Sequence, residues 1–348
     1  MKTVLLTGAS SAAGARILEV LAARPDVTRV YLLGGGDAAR APAEAAAKEV
    51  LPLPGDVKLP RLGLDGKGFE QAIAADTIIH CAERTELDQD LPRAREWNVQ
   101  PVRSLIELLQ EARGARLVHL STTWVAGTKR GLFTEFDLDC RQGFYNAYEQ
   151  SKHEAECLLR DSAVSGRVTI VRRSLALGAP GRPGSILQPL RGRRLLVSGD
   201  SRIRVDVIPL EYLAQGTVAL ADHPAAAGRT CHLVAGWEKS WTLRALLELV
   251  KARCGAGGLG FLPPVLSSLA RAMGPLSFGR VAVLPGRRRG LRPYLHQRCV
   301  FDEFMARSLL EPLGIACPPP DEFMARVLDA TLAPPGGAGA PAAMSEAA

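Results

Sequence analysis

The sequence predicts an α/β fold with a doubly wound parallel sheet and a smaller, irregular lobe toward the carboxyl terminus. Short apolar segments alternate with segments of helical periodicity through the first half of the chain. A loop of small residues, Thr7–Gly14, follows the first apolar segment. Ligands of such sheets bind at the carboxyl ends of the strands. We therefore expect the strand-end residues Gly8, Ala82 and Thr122 to line one crevice.

The first strand and helix form the clearest single signal. Val4–Leu6 is an apolar strand, and a helix follows the small-residue loop. Such a loop lets the backbone approach a pyrophosphate, whose charge then faces the free N–H groups at the start of the helix. The alternative is a tight turn without a ligand. The candidate cofactor-binding residues in this loop are Gly8, Ser10, Ser11, Ala12 and Gly14.

Composition restricts the class of protein. The chain has 348 residues, 47% of them apolar and 23% charged, which is typical of a globular protein. The seven cysteines include no C-x-x-C pair, so neither a disulfide framework nor a metal site is predicted. No basic leader or run of ~18 apolar residues is present, so we expect no transmembrane segment and a cytoplasmic location.

The net charge of +7 does not predict nucleic-acid binding. The basic excess lies in Arg191–Arg204 and Arg280–Arg298, with few interleaved aromatic residues for base stacking. An acidic partner fits this charge better, for example a phosphorylated substrate handle or a carrier protein.

The second and third predicted strands leave the cofactor undecided. Thr28–Leu33 ends at Gly34, where a carboxylate would favour NAD and an arginine NADP. Asp37 and Arg40 follow closely and can serve either role. After the short segment Glu49–Leu53 comes Asp56, which is either an acceptor for an adenine amino group or an ordinary turn aspartate.

The next elements continue the alternation of strand and helix. Asp76–Ala82 reads as a buried strand, Arg93–Arg113 as one helix and Arg116–Thr122 as another strand. Asn146 is placed to cap a helix that reaches about Arg160, and Arg167–Arg172 is the sixth strand.

The chain divides by composition into three parts. Residues 1–178 are predicted to form the dinucleotide-binding Rossmann domain. Residues 179–333 are predicted to form a substrate-binding lobe, partly interleaved with that domain. Residues 334–348 are too rich in Gly, Ala and Pro to bury a core and are predicted to be a disordered tail. In the second part, the predicted strands are Arg204–Ile208 and Arg229–Val234. The predicted helices are Leu210–Ala221, Trp241–Lys251 and Val265–Met273.

Three polar residues are the catalytic candidates. Tyr148 and Lys152 lie four residues apart on one predicted helix and so project from the same face. An ammonium near a phenol lowers the phenol pKa from its ordinary value of ~10, so Tyr148 is expected to exchange protons near neutral pH. Thr122, at a strand end facing the same crevice, can hold a carbonyl oxygen with its hydroxyl. His80 and His119 lie within predicted buried strands, where a structural role is expected.

Several motifs together resemble the extended short-chain dehydrogenase/reductases, in particular the fatty acyl-CoA reductase and thioester reductase branch, called male-sterility-like. The stretch GDVKLPRLGLD at 55–65 is the most specific to this branch. The others are TGASSAAG at 7–14, IIHCA at 78–82, NVQPVRSLIELL at 98–109, HLSTTWVAG at 119–127, YEQSKHEAE at 148–156, VTIVRRSLALG at 168–178, VDVIPLEYLA at 205–214 and LGIACPPP at 313–320.

The resemblance implies roles for individual residues. Thr122, Tyr148 and Lys152 would be catalytic, with Lys152 also holding the nicotinamide ribose. Four further cofactor-binding residues would be Asp56 and Val57, which bracket the adenine, and Cys81 and Ala82, which pass under the dinucleotide. The implied reaction is hydride delivery from NADP(H), with NAD(H) not excluded, to an acyl thioester on coenzyme A or an acyl carrier protein. The product would be an aldehyde and, after a second hydride, an alcohol.

The chain also departs from the family pattern. Ser11 replaces the middle glycine of the loop, Gly34 replaces an arginine that favours NADPH, and Arg173 replaces a proline after the sixth strand. Two other readings therefore stay open: an extended dehydrogenase, epimerase or ketoreductase acting on an alcohol or ketone, and a dinucleotide-binding protein without turnover. The oligomeric state, the acyl chain and the residues that contact substrate are not predicted.

Two segments of the lobe suggest substrate contacts. Arg287–Arg289 is either a solvated loop or a site that attracts the phosphates of coenzyme A or an acidic carrier protein. Phe261–Phe278 is expected to cover an acyl chain as a lid, with a membrane-surface contact as the alternative.

Overall fold

The fold is taken from a computed structural model, in which the structure describes residues 2–34, 49–178, 194–197, 199–255, 257–261, 281–284 and 293–332. The strands are β1 (Lys2–Thr7), β2 (Val27–Leu33), β3 (Glu49–Leu53), β4 (Thr77–His80), β5 (Arg116–Thr122), β6 (Gly131–Phe133), β7 (Val168–Arg173), β8 (Leu175–Leu177), β9 (Arg194–Val197), β10 (Arg204–Val205), β11 (Val207–Pro209), β12 (Thr230–Leu233), β13 (Trp241–Thr242), β14 (Gly258–Phe261), β15 (Val281–Leu284) and β16 (Cys299–Phe301). The helices are α1 (Ala12–Ala23), α2 (Gly66–Ile73), α3 (Leu91–Asn98), α4 (Gln100–Glu111), α5 (Ala147–Asp161), α6 (Leu210–Asp222), α7 (Gly236–Lys239), α8 (Leu243–Cys254), α9 (Phe304–Leu310) and α10 (Pro320–Leu332).

A seven-stranded sheet forms the centre of the fold. Its strand order is β12-β7-β5-β4-β1-β2-β3, and every neighbouring pair is parallel. The chain first builds outward from β1 to β2 and β3, then crosses to β4 on the other side of β1. This reversal confirms the predicted doubly wound fold and places a ligand crevice beyond the carboxyl ends of β1 and β4.

The sheet is buried on both faces, which explains its nearly continuous apolar strands. Successive strand residues point to opposite faces, so Val4 and Leu6 join one core while Leu5 joins the other. The first core includes residues of α1 and α6, and the second includes residues of α2, α4 and α5.

The predicted single helix over Arg93–Arg113 was wrong, because the structure has two helices there. Val99 separates α3 from α4, although it keeps right-handed helical angles and donates to Arg95 O at 2.9 Å. Pro101 explains the interruption, since its ring has no N–H and would collide with the carbonyl four residues earlier in a continuous helix. Asn98 is the last residue of α3.

The second half of the chain contributes both to the central sheet and to smaller units. β12 pairs with β7 at the edge of the central sheet, and α6 packs with α1 in the first core. The small sheets are β8 with β11, β10 with β13, β6 with β16, and β14-β9-β15. The predicted Val265–Met273 helix, the lid beyond Phe261 and Arg287–Arg289 lie outside the described residues. Within the part of the chain that is described, no helix is long and apolar enough to cross a membrane.

Candidate active site

The crevice begins where β1 and β4 end side by side. The Thr7 hydroxyl lies 2.7 Å from His80 Nδ1 and accepts a hydrogen bond from Ala82 N at 3.3 Å. Burial lowers the pKa of His80 to about 3, so this histidine is neutral and serves to join the two strands. The stacked ring of His119 is also buried, and its two nitrogens have no hydrogen-bond partner among the described residues.

The loop after β1 forms a cradle with no room for larger residues. Gly8 has a φ of +76°, and a Cβ there would lie 2.5 Å from Ala82 N. A Cβ on Gly14 would lie 2.1 Å from Gly8 O, so the start of α1 rests directly on the loop. The Ser11 hydroxyl caps α1 by accepting from Gly14 N at 3.0 Å. This cradle at a helix N-terminus fits the pyrophosphate of a dinucleotide, with Ser10 and Ala12 in the same turn.

The other predicted cofactor residues follow the ends of β3 and β4, each with its own neighbours. Cys81 is buried directly after β4, and Val57 is buried in the second core. Asp56 follows β3, and its carboxylate accepts from Lys58 N at 2.9 Å and pairs with Lys58 Nζ at 3.3 Å. An adenine amino group would therefore share Asp56 with Lys58. Asp37 and Arg40 lie outside the described residues.

Helix α5 brings two of the three catalytic candidates to the crevice. The Asn146 side chain accepts from Glu149 N at 3.0 Å, which confirms the predicted cap. Tyr148 and Lys152 are both almost fully buried. Lys152 Nζ donates to Leu120 O at 2.7 Å, which fixes the lysine against β5. Thr122, at the end of β5, accepts from Trp124 N at 3.2 Å and lines the same cavity as Tyr148.

A carboxylate stands between these groups. Tyr148 Oη donates to Glu83 Oε2 at 3.1 Å, and Lys152 Nζ lies 3.3 Å from the same oxygen. Arg173 Nη2 donates to the other oxygen, Oε1, at 2.6 Å. Although burial opposes ionisation, Arg173 and Lys152 lower the pKa of Glu83 to about 2, so the carboxylate is charged. Arg173, which stands where the family pattern has a proline, thus pairs with Glu83 inside the site.

The predicted lowering of the Tyr148 pKa by Lys152 was wrong. Burial, followed by the negative charge of Glu83, raises the pKa of Tyr148 well above its ordinary value. Arg173 and a hydrogen bond from Thr122 act in the opposite direction without reversing the shift. Burial is the main reason, and the carboxylate of Glu83 adds a negative charge beside the phenol that favours its protonated form. Tyr148 is therefore a proton donor in this structure.

Asn98 fixes the backbone beside Glu83. Its amide accepts from Arg84 N at 3.1 Å and donates to Arg84 O at 3.3 Å. The same amide donates to the Ser151 hydroxyl at 2.9 Å, and Ser151 lies on α5 between Tyr148 and Lys152. Asn98 thus ties the segment that carries Glu83 to the helix that carries the catalytic candidates.

A cavity of about 670 Å³ opens beside Tyr148. Trp124 stacks on Tyr294 with ring centroids 4.1 Å apart and meets Tyr148 edge-on at 6.3 Å. The Tyr294 hydroxyl accepts from Asn146 Nδ2 at 2.9 Å and donates to Glu149. The residues that line the cavity are Thr85, Glu86, Leu87, Asp88, Thr122, Trp124, Tyr148, Arg173, Ser174, Leu175 and Ala176.

Sequence reasoning missed three residues of this site. Glu83 was detectable as an acidic residue directly after the strand-end pair Cys81 and Ala82. Trp124 follows Thr122 by two residues, which was a weaker signal. For Tyr294 no sequence signal exists, because it reaches the crevice from a distant part of the chain.

Comparison with known proteins yields both a family and a fold. The NAD-binding family described as "Male sterility protein" matches residues 6–217. Peramine synthetase ppzA of Metarhizium majus (strain ARSEF 297) is 29% identical in an alignment of 203 positions that covers 51% of this chain and only 7% of that protein.

Two solved structures resemble the whole described fold. The terminal R domain from the myxalamid PKS-NRPS biosynthetic pathway has a TM-score of 0.73 at 24% identity, covering 95% of this chain and 89% of that domain. A thiolation-reductase di-domain from an archaeal non-ribosomal peptide synthetase has a TM-score of 0.69 at 16% identity, covering 94% of this chain and 75% of that protein. At these identities the likeness establishes the fold.

Proposed function

The chain belongs to the Male sterility protein family of NAD-binding proteins, and we propose that it is an NAD(P)H-dependent reductase of acyl thioesters. The observation that supports this proposal is that Tyr148 lines a cavity of about 670 Å³ while its hydroxyl bonds to Glu83, the residue after Ala82, whose backbone packs against Gly8 of the cradle. The likeness to two reductase domains of peptide and polyketide synthetases supports a thioester substrate on a carrier protein. Coenzyme A is the other carrier with the same thioester chemistry.

The proposed reaction uses each of the three catalytic candidates. When bound, the reduced dinucleotide supplies the hydride that adds to the carbonyl carbon. The Tyr148 hydroxyl gives its proton to the carbonyl oxygen, and the Thr122 hydroxyl holds that oxygen as charge develops. Lys152 has three donors, of which two point to Leu120 O and Glu83, so the third is available for a ribose hydroxyl.

The hemithioacetal that results has a carbon–sulfur bond to the carrier. Breakage of this bond releases the thiol and leaves the aldehyde, and a second round of hydride and proton transfer gives the alcohol. The apolar wall of Trp124, Leu175 and Ala176 is placed to contact the acyl chain beside the carbonyl.

A substrate panel tests the proposal directly. The protein is incubated with NADPH or NADH and with matched acyl-CoA, carrier-bound acyl and ketone substrates, while the loss of reduced nicotinamide absorbance is followed. We expect turnover of thioesters. Turnover of ketones alone would instead support an alcohol or ketone dehydrogenase, and dinucleotide binding without any turnover would support a non-catalytic role.

We further propose a cytoplasmic location. The six cysteines whose side chains the structure describes are all free thiols, which suits a reducing compartment. Fractionation of the native host, with the protein detected by antibody, tests this assignment.

A further inference from the structure

The Glu83 carboxylate contacts the side chains of Tyr148, Lys152 and Arg173. Its side chain is 9% exposed, against 1% for Lys152 and 17% for Arg173. One oxygen faces both Tyr148 Oη and Lys152 Nζ, and the other is held by Arg173. Asn98 holds both backbone polar groups of the next residue, Arg84. Asn98 therefore holds the backbone next to Glu83, and Arg173 holds its carboxylate.

This arrangement determines the direction of the hydrogen bond at Tyr148. An ionised carboxylate has acceptors only, so the phenol must be the donor. A lysine next to a tyrosine alone stabilises the phenolate, whereas a carboxylate at 3.1 Å from the phenol oxygen opposes it. The same Glu83 oxygen lies 3.1 Å from Tyr148 Oη and 3.3 Å from Lys152 Nζ.

We propose that Glu83, which contacts both Arg173 and Lys152, is a positioning residue that keeps Tyr148 protonated and aimed. The proposal rests on the proposed function, because a protonated tyrosine is what a reductase needs to protonate the carbonyl oxygen. Glu83 thus favours the protonated phenol, which is the form that starts each reduction.

The other ionisable groups near Tyr148 do not replace this effect. His80 is held neutral by burial, and burial also lowers the pKa of His119 well below its ordinary value. Burial raises the pKa of the Cys81 thiol to about 12, so it carries no charge at neutral pH. The charged or titratable groups that face the site are Lys152 and Glu149 on α5, Glu83 and Cys81 after β4, His80 on β4, His119 on β5, Arg173 on β7, Glu86 and Asp88 in the cavity wall, and Tyr294.

The test compares two single variants that remove opposite charges. Phenolate absorbance is titrated in the absence of substrate for wild type, Glu83→Gln and Arg173→Gln, and the Tyr148→Phe form of each protein identifies the Tyr148 signal. We expect Glu83→Gln to lower the pH of phenolate formation by about 1 to 3 units, because Lys152 then acts unopposed. Arg173→Gln is expected to titrate no lower than wild type.

A purely structural ion pair predicts a different pattern, since either variant would loosen the site in the same way. If both single variants lower the Tyr148 transition equally, or Glu83→Gln leaves it unchanged, the proposal is overturned. If Glu83→Gln fails to fold with Arg173 unpaired, the double variant Glu83→Gln/Arg173→Gln replaces it. That variant removes both charges and should still titrate below wild type, whereas an unchanged transition would contradict the proposal.

The readout also separates this proposal from the proposed function. The titration needs neither cofactor nor substrate, so it can succeed even if no thioester is turned over. Where thioester reduction is observed, its loss at alkaline pH should begin at lower pH in Glu83→Gln than in wild type, because reduction requires the protonated phenol.

Discussion

Arg172 and Arg173 are consecutive residues of β7, yet their surroundings give them different tasks. The Arg172 side chain is fully buried and makes paired hydrogen bonds to Glu156 at 2.8–3.1 Å. It also donates to Asp137 O at 2.7 Å, and Glu156 accepts from the Ser121 hydroxyl. Arg173 has one carboxylate partner, Glu83, and lines the cavity beside Tyr148.

The two ion pairs differ in their surroundings, and this difference indicates that one stabilises the fold while the other acts in the site. Both side chains of the Arg172–Glu156 pair are fully buried among other protein groups. Loss of this pair should therefore lower the free energy of unfolding. The Arg173–Glu83 pair contacts the hydroxyl of the proposed proton donor, Tyr148, and Arg173 lines the cavity. Its loss should therefore change the rate of the reaction. Sequence alone shows two identical arginines, and only the location of their acidic partners separates them.

Removal of the phenol hydroxyl that the Arg173 pair controls should have the largest effect on function. Tyr148→Phe removes the proposed proton donor, and we expect turnover to fall about 100- to 10,000-fold. Dinucleotide affinity should stay nearly unchanged, because the cradle lies on β1 and α1. Steady-state kinetics and a dinucleotide titration check the two parts. Full activity in this variant would remove Tyr148 from its role.

Breaking the Arg172 pair should have the largest effect on stability. Arg172→Met leaves the Glu156 carboxylate buried without its partner, and we expect the free energy of unfolding to fall by about 3–5 kcal/mol. Arg173→Met is the matched control, since its partner Glu83 keeps Lys152 nearby. Denaturant unfolding of both proteins measures the difference. Equal losses would contradict the division of tasks between the two arginines.

A smaller effect is expected in the cradle, which supports the site without taking part in the proton transfer. Gly14→Ala places a Cβ within 2.1 Å of Gly8 O, so the loop must shift. Backbone strain of about 1–3 kcal/mol corresponds to a loss of roughly tenfold to a hundredfold in dinucleotide affinity. Gly66→Ala is the control, because nothing lies within 4 Å of its added Cβ. Equal affinities in the two variants would show that the cradle does not hold the cofactor.

Much of the fold was predictable because its physical cause is local. The inner strands β1, β4 and β5 are almost entirely buried, and the Asn146 cap and the spacing of Tyr148 and Lys152 are read directly along the chain. The break at Val99 had a visible signal in Pro101, which the apolar periodicity of the flanking segments outweighed.

The electrostatics of the site were not predictable in the same way. Glu83 follows β4 and Arg173 ends β7, and β5 lies between these strands in the sheet. Their contact depends on side chains that reach past a strand, which no spacing in the sequence reveals. The prediction considered only the charge of Lys152 and so gave the wrong direction for the Tyr148 pKa, which burial and Glu83 raise.

The transfer of hydride to a thioester carbonyl is the central claim, and isotope labelling tests it most directly. The protein is incubated with NADPH deuterated at the transferable position of the nicotinamide and with an acyl thioester, and the aldehyde is trapped as an oxime for mass spectrometry. The account predicts one deuterium on the former carbonyl carbon and release of one free thiol. Aldehyde without deuterium, or no aldehyde from any thioester while a ketone is labelled, would contradict it.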